Sequence, residues 1–103
     1  MKKKLLTGKQ KSYLRGLGHH LVPIAMIGQN GLTKEVLAAI NAVLAAHELV
    51  KIKVQNTAAI DRHEAAESVA GQTGAQLVQV IGRSILLYKA NQDMRPEKRI
   101  ILP

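Results

Sequence analysis

The spacing of apolar residues predicts three helices along the chain. The first runs from about Gly8 to Leu17, and Thr7 in front of it is a residue type that caps helix N-termini. The second opens at Thr33. Its apolar residues recur at intervals of three and four: Val36, Leu37, Ile40, Val43 and Leu44. The third is rich in alanine, runs from about Thr57 to Ala70, and is expected to end at Gly71.

Four shorter segments are predicted to be strands. Ile24 to Ile27 is a continuous apolar run, whereas Glu48 to Val54 alternates apolar and polar residues, which is typical of a strand with one buried face. Leu77 to Ile81 and Ile85 to Tyr88 flank the short turn at residues 82–84, so we expect these two strands to pair as a hairpin.

The predicted order α-β-α-β-α-β-β indicates the α/β class, of the α+β two-layer type. Strands joined through a helix run parallel by right-handed crossovers, and the last two are antiparallel, which gives a four-stranded mixed sheet covered by helices. We divide the chain into a basic arm (1–6), a single domain (7–90) and a C-terminal tail (91–103). The apolar end of the tail, residues 100–102, is compatible with either an edge strand or a loose segment.

The positive charge is concentrated at one end of the chain. The net charge is +8, yet residues 1–34 contain seven Lys and Arg and no Asp or Glu, while residues 35–103 contain eight basic and seven acidic residues. A one-sided basic field predicts a polyanionic partner, either nucleic acid or an anionic membrane. No apolar run approaches the roughly 20 residues of a membrane span, and residues 7–11 are polar where a signal peptide would be apolar. We therefore expect a cytoplasmic protein that binds no membrane.

The composition speaks against catalysis and against metal binding. The chain contains no cysteine, so it has neither a disulfide nor a thiolate metal site. The segment 63–67 (HEAAE) resembles half of a metalloprotease H-E-x-x-H, but Glu67 stands where the second histidine is required. Adjacent His19 and His20 diverge on a regular element and are not expected to share a metal. We predict no enzyme activity and no cofactor.

A glycine-bounded loop, Gly28-Gln29-Asn30-Gly31, stands between the first predicted strand and the second helix. Glycines admit close approach of a ligand backbone, and a helix start presents free N–H donors to a phosphate. A G-x-x-G loop clamps nucleotide backbone in KH-type modules. A second G-x-x-G, at 71–74, follows a helix and is interpreted as a cap and turn. The predicted binding residues are Lys9, Lys11, Arg15, Gly28, Gln29, Asn30, Gly31 and Lys34.

With only two aromatic residues, Tyr13 and Tyr88, the chain lacks the rings of a base-stacking sheet. The predicted contacts therefore run mainly to phosphate and sugar, with modest sequence discrimination.

Four motifs in a fixed order resemble a known family. They are LTGKQK at 6–11 with YLR at 13–15, MIGQNGLT at 26–33, HELVKIKV at 47–54, and VQVIGR at 78–83 with LYK at 87–89. Together they cover about residues 5–90 and resemble bacterial CRM-domain proteins of the YhbY type. The sequence differs from the family pattern at Gln29, often Lys in relatives, and at Lys89, where Arg is usual.

The resemblance implies a fold related to the C-terminal domain of translation initiation factor three. It also implies an RNA-binding protein that associates with ribosomal RNA in precursors of the large ribosomal subunit. The family's RNA-contacting loop falls on residues 28–31, and its basic helix carries Lys9, Lys11 and Arg15. We expect a monomer.

Two other classes of function remain open. A dimeric, Alba-like protein that binds DNA or chromatin has a related layout with a basic face, and self-association with a preference for DNA would identify it. The other class is a protein-interaction module whose basic arm docks an acidic partner. Its associations in cells would persist after treatment with ribonuclease.

Overall fold

The computed structural model describes residues 5–56 and 60–103, and within them the predicted order of elements is confirmed. The three helices and four strands are α1 (Gly8–Gly18), β1 (Ala25–Ile27), α2 (Lys34–His47), β2 (Leu49–Val54), α3 (Arg62–Thr73), β3 (Gln76–Ile81) and β4 (Ser84–Tyr88). A short 3-10 helix, Pro96–Lys98, follows in the tail.

The strands form the predicted four-stranded mixed sheet, in the order β1-β2-β4-β3. β1 and β2 are parallel, whereas β4 is antiparallel to both β2 and β3. β3 therefore runs in the same direction as β2, as the α3 crossover requires, but β4 lies between them. A β-bulge between Leu77 and Gln79 shifts the register of the hairpin.

The two faces of the sheet are covered differently. α2 and α3 pack on one face and bury the larger apolar cluster with alternate strand residues such as Ile52 and Leu87. α1 packs on the other face, where Leu14 is completely buried against a second cluster that includes Leu49 and Leu86. This second cluster lies beneath α1 and the tail.

The predicted limits of α3 were wrong at both ends. The carboxylate of Asp61 accepts the backbone N–H groups of His63 (3.0 Å) and Glu64 (3.3 Å), so Asp61 is the N-cap and the helix begins one residue later. The first predicted residues, 57–59, lie outside the described part. Gly71 lies within the helix, which ends before Gly74, a left-handed cap with φ of 76°.

The tail packs onto the α1 side of the sheet without adding a strand. Ile100 and Leu102 contact the second cluster, and the Gln10 side chain on α1 donates to the carbonyl of Pro103 at 3.3 Å. Residues 100–102 are therefore neither a strand nor loose, because Ile100 and Leu102 cover an apolar surface while Ile101 between them is exposed.

Candidate nucleic-acid interface

The N-terminus of α1 is fixed by a reciprocal cap. Thr7 Oγ1 accepts the N–H of Gln10 at 3.1 Å, and Gln10 Oε1 accepts the N–H of Thr7 at 3.0 Å. This confirms Thr7 as the predicted N-cap. At the other end Gly18 is buried against Leu86, and a Cβ at Gly18 would lie 2.6 Å from a Leu86 methyl carbon. The cap thus fixes where the helix begins, and Gly18 allows its C-terminal end to lie close to the sheet.

Two of the three cations predicted on α1 share a face. Lys11 and Arg15 are four residues apart, and His19, which still has helical dihedral angles, continues the same spacing. We call Lys11, Arg15 and His19 the α1 stripe. Lys9 is exposed, but it lies two residues before Lys11 and therefore projects from another side of the helix. The structure thus separates Lys9 from the other two.

The α1 stripe borders the exposed surface of the sheet. Lys11 lines a surface pocket with Gln76 and Leu77 at the start of β3. His19, at the opposite end of the stripe, lines another pocket with Lys51 and Ile81. The α1 stripe therefore runs along β3, and its last residue, His19, also lies near Lys51 of β2.

In the G-x-x-G loop the two glycines have different roles. The Gly31 N–H donates to the Gly28 carbonyl at 3.0 Å and closes a tight turn, and Gly31 has a φ of 72°, which favours glycine. Gly28 is less strictly required, because a Cβ there would lie 3.3 Å from Gln55 Oε1, the end of an exposed and flexible side chain that a small shift would move aside. Gln29 and Asn30, at the tip of the turn, are exposed. The loop therefore presents two amide side chains and no charge of its own.

The start of α2 follows the loop at the N-cap Thr33, whose Oγ1 accepts the N–H of Val36 at 3.1 Å. Lys34 is exposed in the first turn. Among the described residues, the N–H groups of Lys34 and Glu35 have no hydrogen-bond acceptor. The acidic Glu35 also lies in this first turn, directly after residues 1–34, which contain no Asp or Glu. Sequence reasoning missed this carboxylate, which competes with a phosphate for the positive end of the helix.

The second G-x-x-G, at 71–74, forms the end of α3. A cation lies at its last carbonyl groups although none is near in the sequence, because Lys89 Nζ donates to the Thr73 carbonyl at 2.8 Å. A cation at a helix C-terminus is favourable, so Lys89 has a structural role there. The two G-x-x-G sequences therefore differ in structure as well as in position.

Other chemistry finds little support in the described residues. They contain no group of three or more His, Cys, Asp or Glu side chains that converge as metal ligands. His63, in the incomplete metalloprotease-like segment, is exposed on α3. None of the helices described is both long and apolar enough to cross a bilayer.

Comparison with known proteins places this fold in a family. The CRS1/YhbY (CRM) domain profile matches residues 6–89, which is most of the chain. A Bacillus subtilis protein named "Probable RNA-binding protein YqeI" is 39% identical over 99 residues, covering 96% of this chain and all of the relative. A Haemophilus influenzae protein named "RNA-binding protein" is 40% identical over 90 residues, covering 87% of this chain and 91% of the relative.

A solved structure has the same fold. The solution structure of a Staphylococcus aureus protein, described as a candidate RNA-binding protein, superposes with a TM-score of 0.78 at 37% sequence identity. The match covers 96% of this chain and 100% of the Staphylococcus protein. At this identity the likeness extends beyond the fold to the sequence.

Proposed function

Since the chain belongs to the CRS1/YhbY (CRM) domain family, we propose that it binds RNA through the α1 stripe and the G-x-x-G loop. The observation that carries the proposal is the placement of Lys11 and Arg15 on one face of α1, in a part of the chain without any acidic residue. RNA is the polyanion that the names of the relatives indicate. The protein acts as a binding factor and catalyses no reaction.

Electrostatic attraction supplies the first step of binding. The net charge of +8 produces a long-range attraction for phosphate, which raises the rate of encounter and weakens as salt is added. Lys11 and Arg15 receive the RNA backbone on α1, and the exposed Lys9 adds an attraction that does not depend on one geometry.

The loop supplies the second step. Exposed Gln29 and Asn30 donate to phosphate or sugar oxygens, while the amides of Lys34 and Glu35 at the start of α2 add donors. Gly31 is buried and shapes the turn through its positive φ, whereas Gly28 is half-buried and has no side chain to obstruct an approaching backbone.

For the biological partner we propose ribosomal RNA in precursors of the large ribosomal subunit, bound in the cytoplasm by a monomer as an assembly factor. The support is the resemblance of four ordered motifs to YhbY-type proteins. Crosslinking in cells followed by sequencing of the bound RNA tests this step. Enrichment of large-subunit precursor RNA is expected, and enrichment of messenger RNA or DNA alone would contradict it.

The salt dependence of RNA binding tests the electrostatic mechanism. If four to six phosphates are neutralised on single-stranded RNA, log K should fall against log salt with a slope of roughly −3 to −4. The double variant Lys11→Ala/Arg15→Ala should reduce the magnitude of this slope by about 1.4. The control is Arg62→Ala/Lys98→Ala, which removes two exposed cations from α3 and the tail. A flat salt response, or equal losses for the two double variants, would contradict the proposal.

A further inference from the structure

The sheet face that carries α1 is covered only in part. Residues near the start of β2, such as Leu49, are buried beneath α1 and the tail. Nearer the end of β2 the same face bears a row of residues that runs across all four strands. The strand register places them side by side in the order Met26, Lys53, Ser84 and Ile81. We call these four residues the open row.

The open row is accessible and has two apolar ends. Met26 is 48% exposed on β1 and Ile81 is 56% exposed on β3, while Lys53 between them is exposed and Ser84 is half-buried. Three inter-strand spacings separate the outer strands, so the row is roughly 14 Å long. Single exposed apolar residues are common, but two on one flat face flanking a cation form an amphipathic surface.

The charge of this surface is of one sign. Lys51 lies on the same face of the sheet, two residues before Lys53 on β2, and it lines a pocket with His19 and Gln79. Neither α1 nor any of the four strands contains an acidic residue. The surface is therefore complementary to a polyanion, as the α1 stripe is.

The open row also connects the two parts of the proposed interface. At the β1 end, Gln55 Nε2 lies 2.9 Å from Met26 Sδ, and Gln55 Oε1 is the atom closest to the space beside Gly28. At the β3 end, Ile81 shares a pocket with His19 of the α1 stripe. A chain that reaches from α1 to the loop by way of the sheet therefore crosses the open row.

We propose that the open row binds a single-stranded segment of RNA between α1 and the G-x-x-G loop. Lys53 holds a phosphate, and Met26 and Ile81 contact bases. These bases are unpaired, because in a duplex their faces are stacked on each other and only sugars, phosphates and groove edges are accessible. The inference rests on the proposed RNA-binding function and names its substrate class.

Neither tyrosine belongs to this surface, since Tyr88 is buried in the second cluster and Tyr13 lies on α1. The base contacts are aliphatic, and we expect them to tolerate every base. This differs from the aromatic platform of other sheet-based RNA binders, in which rings stack on successive bases.

The test compares one RNA in two forms. A labelled, unstructured RNA of about 12 nucleotides is titrated alone and after annealing to its complement. The wild type should bind the single strand about threefold or more tighter, and Met26→Ser/Ile81→Ser should remove roughly that advantage while leaving duplex affinity unchanged. Lys53→Gln should reduce the magnitude of the salt slope by about 0.7. The controls are Ile101→Ser, at a residue 82% exposed in the tail, and Lys98→Gln.

A measurement on the wild-type protein gives a test that does not depend on whether the variants fold. Addition of the single-stranded RNA should shift the NMR signal of the Met26 methyl group and leave that of Met94, in the tail, unchanged. An unshifted Met26 signal would overturn the inference, as would equal affinities for the two RNA forms. If Lys11→Ala/Arg15→Ala weakens binding and the open-row variants match their controls, only the inference fails. If the wild type binds no RNA, the proposed function fails as well.

Discussion

The carboxylate of Glu48 accepts the backbone N–H of Ile100 at 2.7 Å, across 52 positions of sequence. Glu48 is completely buried, and its second oxygen accepts the N–H of Asn91 at 2.7 Å and Nε of Arg99 at 3.3 Å. One buried charge thus joins the junction between α2 and β2 to three points of the C-terminal tail. Because the tail covers the second cluster beneath α1, this carboxylate also supports the surface on which α1 lies.

The backbone conformation of Glu48 is also unusual. Its φ of 60° is combined with a ψ of −41°, a rarely adopted conformation outside the left-handed helical region, which costs a non-glycine residue roughly 1–3 kcal/mol. Its N–H donates to the Leu44 carbonyl and its carbonyl accepts the Lys89 N–H, so the conformation is held from both sides. A glycine would relieve the strain and lose the carboxylate.

The first prediction is that Glu48→Gln destabilises the fold. The amide has nearly the same size, but it carries no charge and places an NH₂ group where one of two N–H donors or Arg99 now binds. We expect a loss of about 2–4 kcal/mol in the free energy of unfolding, measured by urea denaturation at neutral pH. The control is Glu97→Gln, an exposed carboxylate of the same tail, for which a change within about 0.5 kcal/mol is expected. Equal stabilities of the two variants would show that the buried contacts contribute nothing.

The second prediction concerns pH. Burial raises the pKa of Glu48, but hydrogen bonds from Asn91, Ile100 and Arg99 and the charge of Arg99 outweigh burial and hold the pKa below its ordinary value. A carboxylate with a lowered pKa in the folded state contributes stability above its unfolded pKa of about 4.3 and loses that contribution as the pH falls through the folded pKa.

Urea denaturation of the wild type and Glu48→Gln between neutral and acidic pH measures this contribution. The difference in free energy of unfolding should be constant above pH ~5 and shrink below ~4.3. Asp61, whose pKa is lowered by the N–H groups of Glu64 and His63, titrates in both proteins and cancels in the comparison. A difference that grows on acidification would mean that the sign of the shift is wrong.

The sequence was sufficient where local chemistry sets an element. Thr7 and Thr33 were recognisable as helix starts because the hydroxyl of a cap bonds only three residues ahead. The start of α3 was misplaced because the alanine-rich segment has high helix propensity, whereas the Asp61 cap decides where the helix begins. Local sequence signals therefore predicted which elements form more accurately than where those elements begin and end.

What depends on distant contacts was not predictable. The insertion of β4 between β2 and β3 is set by pairing across the whole domain, and no local pattern specifies it. Glu48 was assigned to the start of a strand, since nothing near it in sequence indicates the tail that buries it. Likewise Lys53 becomes a neighbour of Met26 only through the strand register. By contrast, the placement of Lys9 on a different side of α1 from Lys11 and Arg15 follows from helical spacing, which can be read from the sequence.

The third prediction tests whether the G-x-x-G loop binds phosphate. Gln29→Lys adds a charge at the exposed tip and leaves both glycines in place. RNA binding should tighten by roughly 0.5–1 kcal/mol at low salt, and the salt slope should steepen by about 0.7.

The chain contains a matched control for this change. Gln72→Lys adds the same residue at the same position of the second G-x-x-G, at the end of α3, and Gln72 is also exposed. It raises the net charge equally, so any difference between the two variants reports local contact and not the overall field. Identical effects, with both folds intact by circular dichroism, would mean that the loop is only a turn.

The fourth prediction uses the carboxylate at the start of α2. Glu35 lies in the first turn, where it shares the positive end of the helix with any phosphate that binds the loop. Glu35→Gln removes this competition, and we expect RNA to bind about two- to fivefold tighter at low salt, corresponding to roughly 0.5–1 kcal/mol. The helix itself should lose about 0.3–1 kcal/mol of favourable dipole interaction.

Glu64→Gln is the appropriate comparison, because Glu64 is an exposed carboxylate in the first turn of α3. Both variants raise the net charge by one and weaken a helix N-terminus, but only Glu35 is adjacent to the loop. A gain in affinity confined to Glu35→Gln would place phosphate at the start of α2. If both variants tighten binding equally, the gain comes from net charge, and RNA contacts α1 without reaching the loop.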